Sequence, residues 1–91
     1  MNIKKSVINT FERVGIDYKM LQELKGDIEV RNWITGVPCV VTPLIAECIK
    51  WVYMTQLEYE QGNHSTKVSD FDRVRYFILE QDKNAWSVCI D

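Results

Sequence analysis

Residues 42–63, TPLIAECIKWVYMTQLEYEQGN, dictate more of the architecture than any other segment. Thr42 offers a capping hydroxyl, and Pro43 stands where the first helical residue needs no N–H. No glycine or proline follows until Gly62, so a helix is predicted to run to about Gln61 and stop at Gly62-Asn63. Its apolar residues (Leu44, Ile45, Cys48, Ile49, Trp51, Val52, Met54) wrap most of the way round the axis. That pattern belongs to a central helix covered on several sides. Glu58 and Glu60 sit where the helix dipole disfavours them, so that end is expected in water. A chain of 91 residues has room for one core, hence a single domain over 1–91.

The segments ahead of this helix read as shorter helices. Asn2 can cap a first helix carrying Ile3, Val7, Phe11 and Val14 at helical spacing. Gly15 suits the left-handed residue that ends it, and Ile16 then folds back on the last turn. Asp17 can cap a second helix with Met20, Leu21 and Leu24 inward and Gly26 closing it. The link Gly15 to Asp17 is so short that the two must meet at a sharp angle.

EVRNWITGVP, residues 29–38, admits two readings. As a helix capped by Asp27 and ended by Gly36, it places Val30, Trp33, Ile34 and Val37 on one stripe. As a strand, Ile28, Val30, Asn32 and Ile34 share a face, and Thr35-Gly36 turns into a second strand, Val37 to Val41. The β-branched residues favour the strand; the capping residues at both ends favour the helix, which is the reading preferred. Trp33 then reads as core packing.

After the polar connector GNHSTKVSD, the tail RVRYFILEQDKNAWSVCID reads as two strands turning at Asp82-Lys83-Asn84. A helix from Asp70, capped by Ser69 and carrying Phe71, Val74 and Ile78, competes with it. The two-residue alternation of AWSVCID favours the hairpin. The predicted fold is thus mainly α with a small β element: helices over 3–62 and a C-terminal hairpin within 69–91. The alternative is α+β, with residues 28–41 and the tail in one four-stranded antiparallel sheet under the long helix.

The chain carries 46% hydrophobic and 26% charged residues, which suits a globular protein. The opening MNIKKSVINTFERVG lacks the apolar run of a signal peptide, and Leu44 to Met54 is too short and too charged to cross a bilayer. The expected location is cytoplasmic, with no membrane contact. Cys39, Cys48 and Cys89 suggest no disulfide framework and read as small buried thiols. With His64 they lack the close spacing of a zinc site. A nucleophilic Cys39 would need His64 as its base, far along the chain. Asp70, Asp72, Arg73 and Arg75 read as a solvated alternating-charge stretch, and Tyr76, Phe77 and Trp86 as a hairpin face. No phosphate loop, paired-carboxylate motif or nucleophile elbow appears. No enzyme activity, metal or cofactor is therefore expected.

The order of short helices before a long one, with KKSVINTF, VRNWITG and VVTPLIAECI, resembles the repressor-like helix-turn-helix family of phages and bacteria, of Cro type, over residues 3–52. The resemblance implies a small DNA-binding transcriptional regulator with residues 27–35 as recognition helix in the major groove. Ile28, Arg31 and Asn32 would face the bases, Arg31 reading guanine and Asn32 adenine. Lys4, Lys5, Lys19 and Lys25 would contact phosphates of double-stranded DNA. Such proteins commonly dimerise through C-terminal β-structure, which implies a homodimer through the predicted hairpin. Net charge argues the other way. Only residues 1–16 are net positive, and the chain carries −2 overall, against the basic face that phosphate contact needs. The alternative function is a non-enzymatic protein-binding or inhibitory module of the kind mobile elements carry.

Overall fold

A computed structural model describes residues 2–90. Helix α1 (Lys5–Val14) begins after Lys4, which makes no side-chain cap; Asn2 lies ahead of the helix. Its end follows the sequence. Gly15 adopts φ +84°, and the N–H groups of Gly15 and Ile16 both donate to the Phe11 carbonyl at 2.9 Å. Ile16 is thereby folded into the core. Asp17 Oδ1 accepts from Met20 N–H at 3.2 Å and starts α2 (Tyr18–Glu23). Met20 and Leu24 face water, contrary to expectation, and Leu21 is half-buried.

Residues 27–35 do not form a helix. Ile28–Arg31 is strand β1, paired antiparallel with β2 (Pro38–Val41) in the register Ile28 with Val41 through Arg31 with Pro38. Asn32 decides the matter. Its Oδ1 accepts from Ile34 N–H at 2.8 Å and Thr35 N–H at 3.0 Å, capturing the backbone in a turn. Gly36 follows at φ +71°, donating to the Asn32 carbonyl at 2.9 Å. The capping signals read at Gly26 and Asp27 belong to a bend before the strand, with Gly26 at φ +96°.

Helix α3 (Pro43–Glu60) forms where Thr42-Pro43 places it, with Thr42 Oγ1 accepting from Ile45 N–H at 3.3 Å. Gly62 turns the chain at φ +91°, and Asn63 N–H donates to Glu58 O at 2.9 Å. Leu44, Ile45, Cys48, Ile49 and Val52 are buried, and Met54 is exposed.

The tail is helical. Helix α4 spans Val68–Gln81, and Asp82 then caps the single turn α5 (Lys83–Ala85), its Oδ1 accepting from Ala85 N–H at 2.9 Å. Trp86–Ile90 closes the described chain as a π turn. The predicted hairpin within 69–91 is therefore absent from residues 69–90. The four-stranded alternative fails with it, since the sheet has two strands. The alternation in AWSVCID misled because Ala85 and Cys89, four residues apart, are the pair that faces the core. The mainly-α class holds, with a hairpin at 28–41 as its β element.

Phe11, Leu44, Cys48, Val52, Val74 and Ile78 form the sealed centre where α1, α3 and α4 meet. Phe77 stands edge-on to Phe11 with ring centroids 5.2 Å apart. Arg13 ties α1 to α4 through Asp70, Nη2 to Oδ1 at 2.6 Å, while Arg73 approaches the same carboxylate at 3.6 Å. Asp70 is thus a buried anchor. The Arg13 hydrogen bond holds its carboxyl below the ordinary 3.8, against the pull of burial.

Candidate interaction site

The β1–β2 hairpin carries five exposed large apolar side chains, Ile28, Trp33, Ile34, Val37 and Val40. Strand alternation points Val30, Cys39 and Val41 toward the body and Glu29, Arg31, Pro38 and Val40 outward. Cys39 and Val41 are buried accordingly, whereas Val40 is 61% exposed. At the tip Ile34 is 90% and Trp33 62% exposed. Trp33 is not a core residue. One face of its indole stacks on Tyr53 of α3, centroids 5.2 Å apart at 19°, and the rest meets solvent.

The two edges of this ribbon differ. Asn32 N–H donates to Val37 O at 3.1 Å, which fixes the alternation of hydrogen-bonded pairs. Val30–Cys39 and Ile28–Val41 are then the bonded pairs, and the N–H and C=O groups of Glu29 and Arg31 point away from β2. Among the described residues, no backbone bond from Glu29 or Arg31 reaches another element. On the opposite edge Pro38 has no N–H, so Val40 is the one strand donor that faces outward there, against Glu29 and Arg31 on the β1 edge. The fuller open edge belongs to β1.

The residues predicted for DNA contact do not share one helix face. Lys4 and Lys5 stand at the start of α1, Lys19 lies on α2 over the Tyr18 ring at 6.0 Å, and Lys25 follows α2. Ile28, Arg31 and Asn32 are on or beside β1. Arg31 pairs with Glu29 at 2.7 Å and donates to the Gly36 carbonyl at 3.2 Å. Asn32 is only 3% exposed, its amide oxygen spent on the turn, so it presents no edge to a base. The sequence signal that would have found the turn is the Asn32…Gly36 spacing itself.

The cysteines are all free and buried. Burial pushes the Cys48 thiol up to about 12; burial and the adjoining Cys39 do the same to Cys89. A thiol so raised holds almost no thiolate at neutral pH. His64 stacks on Tyr59 with centroids 4.0 Å apart and places Nε2 3.2 Å from the Tyr59 carbonyl, a local contact that leaves Cys39 without it. No group of three His, Cys, Asp or Glu side chains suited to a metal ion occurs among the described residues. No helix among them is long and apolar enough to cross a membrane. Comparison with protein-family models, with curated proteins and with solved structures finds nothing that matches this chain.

Proposed function

We propose that this chain is a non-enzymatic protein-binding module whose partner is a second copy of itself, joined along the free edge of β1. The observation that carries this reading is the unpaired Glu29–Arg31 backbone beside exposed Val40, Ile34 and Trp33. Open edges and contiguous apolar surface are the usual marks of a pairing site. The strand is also complementary to itself. A two-fold axis through Val30 sets Glu29 opposite the partner's Arg31 in the bonded position, so both backbone groups of each residue find partners. The same register places opposite charges across the junction twice, each pair contributing about 0.2–1 kcal/mol. A duplex-binding role, by contrast, has lost the recognition helix on which it depended.

Sedimentation of the full chain over a broad concentration range tests this. A reversible dimer is expected. Glu29→Arg and Arg31→Glu should each weaken it, because like charges then face across the axis. Mixing the two single variants sets opposite charges against each other again and should restore a mixed dimer. A wild-type chain that stays monomeric at every concentration, or variants that dimerise unchanged, overturns the proposal.

A further inference from the structure

A groove of about 500 Å³ lies between the C-terminal half of α3, the first two turns of α4 and the π turn, with no residue of β1 in its lining. Its lining is mainly apolar, with Phe71, Trp86, Tyr59 and Ile90 contributing. Two charged side chains of α4, Asp72 and Arg75, enter the same groove. Volumes of this order, with apolar walls and a few placed polar groups, are typical of small-molecule sites.

Arg75 is the unusual member. Its guanidinium carbon lies 5.2 Å from the Tyr76 ring centroid and 5.7 Å from that of Trp86, so two aromatic rings locate it. Its Nε is buried and has no hydrogen-bond partner among the described residues. That atom is sealed from the groove, so it is the rest of the guanidinium that a groove ligand can meet, and a carboxylate is the acceptor whose geometry fits it. Asp72 sits three residues earlier on the helix, yet the two form no ion pair. Both charges therefore line the groove without neutralising each other. Elsewhere on α4 the carboxylate of Asp70 draws in two arginines, Arg13 and Arg73.

We infer that this groove binds a small zwitterion with an apolar body, of the apolar α-amino acid type. The carboxylate of such a ligand accepts from Arg75, its ammonium group faces Asp72, and its side chain lies against Phe71 and Trp86. A ligand with only an anionic group would meet Asp72 unfavourably, and one with only an amine would leave Arg75 unsatisfied. The pair of charges thus selects for both ends at once. The site stands independently of dimer formation.

Titration of the ¹⁵N-labelled full chain with phenylalanine, 3-phenylpropionate and 2-phenylethylamine tests the assignment. The resonances to follow are the Arg75 Nε–H and the Trp86 indole N–H. Phenylalanine should move both, the propionate should bind more weakly, and the amine more weakly still. Arg75→Gln should weaken phenylalanine about tenfold or more. Asp72→Asn, an exchange that keeps the side chain's shape, should bring phenylalanine and the propionate to similar affinity. If phenylalanine moves neither resonance at millimolar concentration, or if the amine binds as well as phenylalanine, the inference is wrong. Unchanged binding in a folded Asp72→Asn variant, with the preference over propionate intact, overturns the ammonium half and with it the zwitterion.

Discussion

Helix α3 and the β1–β2 hairpin are comparably rich in apolar residues, but they use them in opposite ways. In α3, Leu44, Ile45, Cys48, Ile49 and Val52 disappear into the body, with α4 and α2 packed against the helix. Of the hairpin's apolar residues only Cys39 and Val41 are buried, while Ile28, Trp33, Ile34, Val37 and Val40 remain at the surface. Hydrophobic content alone therefore does not reveal where a core is. The deciding factor is whether the local backbone turns a side chain toward something that can cover it. The residues that stay outside on the hairpin are the ones that core packing leaves unexplained.

The largest expected effect breaks this comparison at its centre. Phe11→Ala removes a fully buried ring that meets Phe77 edge-on and lies 6.1 Å from Tyr18. It should cost about 3–5 kcal/mol in chemical denaturation. Ile34→Ala, measured at a concentration where the chain is monomeric, should stay within about 0.5 kcal/mol of wild type. Comparable losses at the two positions would mean that the tip is packed after all.

Asn32→Ala should have an intermediate effect, about 1 kcal/mol, since two backbone N–H groups lose a buried side-chain acceptor at an otherwise exposed turn. Its signature is local. Cross-strand NOEs between Val30 and Cys39 should weaken while α1 and α4 keep their amide protection.

The smallest effect concerns acid. The folded Asp70 carboxyl ionises below its unfolded counterpart, so the unfolded chain binds more protons as pH falls. The stability from the Arg13–Asp70 pair is then complete above about pH 4 and disappears as pH drops through the lowered folded value. Arg13 is 47% exposed, and water screens its share. Asp70→Asn should flatten the acid limb of a stability–pH curve and leave the neutral region's slope unchanged.

How much of this was legible in the sequence depends on how locally each element is determined. The end of α1 at Gly15 and both ends of α3 are written in capping residues a few positions apart, and they form as read. The 28–41 segment is ambiguous because its β-branched residues and its flanking Gly26 and Asp27 point to different structures. A single side chain, Asn32, resolves it by bonding two N–H groups that a helix would have needed. The tail is ambiguous for another reason. Residues at alternate positions in AWSVCID suit a strand, and only the docking of Ala85 and Cys89 into the core selects the turn. Asp70 read as a solvated charge because its partner Arg13 is 57 residues away. The groove around Arg75 was hidden likewise, since its walls come from three separate elements.

Pro38 limits what the hairpin can build. A ribbon able to accept neighbours on either side would add copy after copy into a growing fibre. With its imide nitrogen on the far flank, this one lacks a donor there, so pairing along β1 uses the fuller flank and leaves the poorer one for any further copy. Replacing that imino acid would then threaten solubility before it threatened folding.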